Sequence, residues 1–187
     1  MKLVVVSFLV ALAVGYAAGG RLSALGEVKI RWSVVAIVGL ALQVAPVPGR
    51  TLPLVFLWVS FGLLLAFVVA NIRVAGFAFI LIGILLNFTV IALNYGMPVT
   101  RHALVASGQQ DTLTQLVEEG GAKHHLAAAD DRLQFLGDVI PIAPIHQAVS
   151  LGDVFTYTGV MWVIVIGMRR RALSEAPVPQ TEVQGVG

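Results

Sequence analysis

Apolar residues fill this chain in long blocks, and short polar interruptions separate them. A helix needs about 20 mostly apolar residues to cross about 30 Å of hydrocarbon. Five stretches approach that length: Leu3 to Gly20, Trp32 to Val47, Leu52 to Ile72, Val74 to Leu93, and Ser150 to Met168. Pro53 falls in the first turn of the third, where a missing N–H is tolerated. Only Arg73 separates the third from the fourth, which predicts a tight helical hairpin. The second is short and carries Gln43. The expected fold is an all-α membrane protein: a bundle of about five transmembrane helices over residues 1–171, with a long loop, 95–149, that contains a short helix. The Pro-, Gln-, Glu- and Gly-bearing tail, 172–187, reads as disordered and cytoplasmic.

Composition supports a lipid-solvated chain. Of 187 residues, 58% are hydrophobic and 12% charged, and mean hydropathy is +0.90. Soluble domains carry about 25% charged residues. The net charge of +2 is small and unclustered, so nucleic acid is excluded as a partner. With no cysteine, a disulfide framework and a thiolate metal site are excluded too. The first stretch has only Lys2 before it and no small-x-small cleavage site, so it is expected to stay as a span rather than leave as a signal peptide. Lys and Arg near span ends set orientation. Arg21, Lys29, Arg31, Arg73 and Arg169 to Arg171 mark one side, against Lys2, Arg50 and three residues scattered along the loop. The expected topology is N-terminus outside and C-terminus inside, in a bacterial inner membrane, with residues 95–149 extracytoplasmic.

That loop concentrates the polar chemistry. It holds all four histidines, His102, His124, His125 and His146, and, counted through Asp153, seven of the ten acidic residues. Asp111 is placed to cap a short helix ending at Glu119 before Gly120-Gly121, with Leu113, Leu116 and Val117 on one face. Leu136 to Ile145 is apolar but broken by two prolines, so it must lie at the interface or pack on protein. His124, His125 and His146 are weak metal candidates, since neighbouring residues point apart and the spacing fits no zinc signature. No cofactor is expected. Asn87 and Asn71 are buried polar residues suited to bonding between helices. The spans carry no charged group away from their ends, which argues against an ion-coupled transporter.

Asp138 and Asp153 stand out, each preceded by a glycine in apolar surroundings. Two carboxylates brought together share one proton, giving an acid and a base for hydrolysis. The plainer reading makes Asp153 or Ser150 a helix cap and Asp138 a turn residue. The run Ser150-Leu-Gly-Asp153-Val-Phe-Thr-Tyr-Thr-Gly159 resembles the last motif of bacterial lipoprotein signal peptidase, with Ser150 standing where that family has asparagine. The resemblance implies a membrane-embedded aspartyl dyad of Asp138 and Asp153 supported by Ser150 and by Asn94 of Asn94-Tyr-Gly96-Met-Pro98. The family's Asn-x-Gly-Ala-Ala-Phe signature is missing here.

Over nearly its whole length the chain resembles a DUF-type family of uncharacterised bacterial membrane proteins. The matching features are Gly20-Arg-Leu22, Gln43, Asn94-Tyr-Gly-Met-Pro-Val99, Lys123-His124, Leu136-Gly-Asp-Val-Ile-Pro141 and Ser150-Leu-Gly-Asp153. This resemblance implies a shared fold and supplies no activity. The sequence-based expectation is a non-catalytic binding or accessory protein that uses its outer loop toward a membrane protein or lipid partner. The aspartyl-dyad peptidase is the alternative.

Overall fold

A computed structural model describes residues 2–46, 49, 51–121 and 123–174. The chain is mostly helical: α1 (Lys2–Ala17), α2 (Ser33–Val44), α3 (Thr51–Ala70), α4 (Phe77–Asn94), α5 (Arg101–Ala106), α6 (Gln110–Glu118) and α7 (Leu151–Ser174). Three of these, α3, α4 and α7, are long and apolar enough to cross a membrane. α1 and α2 are apolar but have 16 and 12 residues. At 1.5 Å per residue they reach about 24 and 18 Å. The five expected spans therefore appear as three long helices and two shorter ones. Large apolar side chains such as Leu9, Val34, Ile37, Val69 and Trp162 face outward, which suits lipid as the surrounding solvent.

The long helices pack side by side in the order α2, α3, α4, α7, α1. Glycine sets the closest of these contacts. On α4 and the turn before it, Gly76 and Gly83 face Gly159 and Gly152 of α7, seven residues apart on each side. A Cβ on Gly152 would strike the Asn87 side chain and the Gly83 carbonyl, and one on Gly83 would strike Thr156. Small residues let two helices approach this closely in lipid, where packing replaces the hydrophobic drive. Ser60 of α3 donates to the Gly39 carbonyl of α2 at 2.7 Å, closing the α2–α3 contact in the same way. At one end, Asn71 receives the Arg31 N–H and donates to the Arg31 carbonyl, each at 2.8 Å, tying the start of α2 to the end of α3.

The other end carries a cap made from the α4–α7 connection, and here the all-α expectation needs correction. Four short strands appear: β1 (Met97–Val99), β2 (His124–Leu126), β3 (Ile140–Ile142) and β4 (Gln147–Val149). β1 and β2 are parallel, and β3 and β4 antiparallel. Asp138 joins the free edge of β1: its N–H donates to the Pro98 carbonyl at 2.9 Å, and its carbonyl accepts from Thr100 at 3.2 Å. Pro98 lacks an N–H but still offers a carbonyl on that edge. Gly137 is required there, because a Cβ would collide with Pro98. The proline-broken Leu136 to Ile145 segment thus becomes part of a small sheet, where β3–β4 pairing satisfies amides that its sequence seemed to leave open.

α6 lies on this cap, its Leu113 and Leu116 packed against Val99, Ala103, Leu104 and Ala148. Its cap residue is Gln109 rather than Asp111, which sits in the first turn. The tail expected to be disordered falls almost wholly on residues 175–187, outside the described residues.

Candidate functional site

A cavity of about 780 Å³ lies where the cap meets the bundle. Its walls come from one end of every long helix: Lys2 at the start of α1, Gln43 at the end of α2, Leu57 and Phe61 of α3, Asn87 and Ile91 of α4, and Asp153 of α7. The cap closes it with Met97, Gln109, Lys123, His124, Asp138 and His146. The volume falls within the roughly 300–1,000 Å³ usual for small-molecule sites. Leu57, Phe61 and Ile91 make an apolar stretch of its helix wall, and polar groups come from both helices (Lys2, Gln43, Asn87, Asp153) and cap.

Asp153 sits in the first turn of α7 and has two tasks. Ser150 accepts the Asp153 N–H through Oγ at 2.9 Å, and the Asp153 carboxylate accepts the Ser150 N–H at 3.2 Å. This reciprocal pair is a capping box that satisfies two of the helix's free donors. The other Asp153 oxygen accepts from the Asn87 amide at 2.9 Å, while Asn87 Oδ1 accepts from Ser150 Oγ at 2.8 Å. Asn87, Ser150 and Asp153 therefore form one closed network between α4 and α7. It forms because Gly83 and Gly152 bring those helices together.

Asp138 is 9% exposed, and its carboxylate lies 3.8 Å from His124 Nε2. Burial raises its pKa well above the usual carboxylate value, and the charge of Asp153 adds to that. His124 sits on the cavity wall, so its side chain is 55% accessible to water although protein surrounds it. That enclosure lowers its pKa, the nearby Lys123 and His125 push the same way, and Asp153 opposes them. Both groups of the pair are thus biased toward their neutral forms.

Lys123 reaches back to the end of α2, donating to the Gln43 carbonyl at 2.6 Å and the Ala45 carbonyl at 3.5 Å. A cation there meets the negative end of the helix and two of its unpaired carbonyls. Gln109 has a fixed amide: its Oε1 accepts from Ala148 N at 2.7 Å and from Ser107 Oγ at 3.0 Å.

The candidate residues divide. Asp138, Asp153, His124 and His146 line the cavity, with Ser150 behind Asp153. Asn94 is absent from the wall; it binds the Arg132 backbone through both amide atoms, at 2.9 and 2.7 Å, and so anchors a loop. His125 points off the opposite face of β2 and pairs with Asp131 at 3.0 Å, as alternation along a strand requires. His146 Nδ1 sits 3.2 Å from the Ser107 carbonyl. Among the described residues no group of three or more His, Asp or Glu is placed to hold a metal ion. Lys123 and Gln109 enter the site without a local sequence signal. Lys123 meets its partner carbonyls some 80 residues away, and only the resemblance pattern singled it out.

The model of a family of unknown function, DUF5317, matches residues 27–165. No curated protein and no solved structure matches the chain.

Proposed function

Because the chain belongs to DUF5317, a family without an assigned activity, we propose a function from the site itself: the protein is a multi-pass membrane protein that binds a small amphiphile without transforming it. The supporting observation is the cavity of about 780 Å³, whose lining joins the apolar helix residues Leu57, Phe61 and Ile91 to polar groups of the helix ends and cap. An amphiphile entering from lipid keeps its apolar part against the helices and sets its head against the cap. In this reading all five apolar helices are embedded, α1 and α2 reaching the interface with thinned lipid around them. The basic ends near Arg21, Arg31 and Arg73 face the cytoplasm, and the cap faces outward. The test is binding of a fluorescent fatty-acyl probe to the protein in nanodiscs. Wild type saturates at one site, and Leu57→Trp, which fills the apolar wall, removes that saturation. Equal binding by wild type and Leu57→Trp would overturn the reading.

One observation favours a second reading, hydrolysis by an aspartyl dyad. Asp138 and Asp153 line the same cavity, and the charge of Asp153 contributes to the raised pKa of Asp138. A protonated Asp138 would donate to the scissile carbonyl while Asp153 takes a proton from attacking water. Under that reading Asp138→Asn and Asp153→Asn each abolish cleavage of a membrane-anchored peptide. Under the binding reading no wild-type cleavage is seen.

A further inference from the structure

The binding reading leaves the chemistry of the ligand head open, and the hydrogen-bond inventory of the cavity narrows it. Three polar groups on the cap side and its rim have donors to spare. Gln109 Oε1 is saturated by two donors, one of them the backbone N–H of Ala148. That fixes which end of the amide is oxygen, and its Nε2 has no partner among the described residues. Lys123 uses its ammonium on two carbonyls of the α2 end, which leaves one of three protons. Asp138 is 9% exposed and faces His124 across 3.8 Å. Enclosure biases this carboxyl toward its acid form, in which it donates a proton, as protonated carboxyls do in apolar sites.

The acceptors, by contrast, are partly occupied. Each Asp153 oxygen already receives one donor, one from Asn87 and one from Ser150, and keeps one further lone pair. His146 directs Nδ1 at the Ser107 carbonyl, and Gln147 Oε1 accepts from the Leu3 N–H at 3.2 Å. A cationic head would meet the positive charges of Lys2 and Lys123 on the wall, and an anionic head would meet the carboxylate of Asp153 beside them. An uncharged carbonyl takes donated hydrogen bonds without either conflict.

Building on the amphiphile-binding reading, we propose that the cavity selects a single-chain amphiphile with an ester or amide carbonyl head, held by Gln109 Nε2, Lys123 Nζ and the Asp138 carboxyl.

The experiment compares four probes of equal chain length in nanodiscs by native mass spectrometry: monododecanoylglycerol, dodecanoate, dodecylamine and dodecane. The ester is expected to bind at least tenfold tighter than the other three. Gln109→Glu keeps an oxygen for Ala148 N and Ser107 Oγ but removes the amide donor, so ester affinity should drop about tenfold while dodecane binding stays unchanged. Asp138→Asn still offers an N–H and should hold ester affinity within about threefold, whereas Asp138→Leu should not. Dodecylamine or dodecanoate binding as well as the ester, or Gln109→Glu binding the ester like wild type, would overturn the carbonyl assignment alone. Failure of every probe to bind would remove the amphiphile reading beneath it.

Discussion

Asn87 holds the least replaceable position among the polar residues. Its amide donates to Asp153 and its carbonyl receives Ser150, so Asn87→Leu strands the buried Ser150 hydroxyl and removes a donor from the half-buried Asp153. A buried group left without its partner costs about 1–3 kcal/mol, and thermal unfolding in detergent should show that loss. Asp138 predicts a pH dependence of defined sign. Its folded pKa lies above the unfolded value, so it favours the folded state below the ordinary carboxylate value and loses that contribution as pH rises through the folded pKa. His124, lowered when folded, works the other way: its contribution is present above the ordinary histidine value and lost as pH falls through its folded pKa. The titratable groups that act on the pair are Asp153, Lys123 and His125. Asp138→Asn should therefore unfold at a higher temperature than wild type at pH 8, with the difference closing toward pH 4. A wild-type melting temperature above that of Asp138→Asn at pH 8 would contradict the burial argument. These residues were partly visible in the sequence. Asp138 and Asp153 drew notice because glycine precedes each, and the structure explains why. Gly137 lets the chain press onto Pro98, Gly152 lets α7 press onto α4, and each glycine delivers the next side chain to the cavity.

At the scale of elements, the α4–α7 seam carries the site. Gly152→Ala places a methyl against the Asn87 amide and the Gly83 carbonyl. Overpacking of this kind costs about 1–3 kcal/mol and should also loosen the Asn87–Asp153 bond. Gly62 in α3 is the control, since a Cβ there meets nothing within 4 Å. Gly62→Ala should stabilise by up to about 1 kcal/mol through helix propensity. Hydropathy located all five apolar helices because lipid-facing segments carry a continuous signal. The strands escaped notice because each is three residues long, and two of them contain proline. The β1–β2 pairing joins residues far apart in the chain, such as Met97 with His124. No local pattern encodes such a pairing. Asp111 looked like a cap because local chemistry favoured it, but the cap position falls two residues earlier, on Gln109, and the helix starts at Gln110.

For the whole molecule, the cavity forms because alternate helix ends gather beneath one cap, so the proposed orientation puts the site on the outer face of the membrane. The absence of native cysteine makes the test direct. Ala129→Cys in the cap should react with an impermeant maleimide in intact cells, while Ser23→Cys at the opposite end should react only after lysis. The reverse pattern would place the cap in the cytoplasm and refute the proposed orientation.

The α4–α7 seam also has a timetable. α4 leaves the ribosome with Asn87 and its glycine face bare, and more than fifty residues must follow before α7 arrives. At about 5–20 residues per second that wait lasts roughly 3–11 s. During synthesis, then, α4 has α3 to pack on, but the partner for its glycine face has not yet been made. A chain ending at Val149 would stay in that state permanently, and cells should clear it much faster than the full-length protein in a pulse-chase.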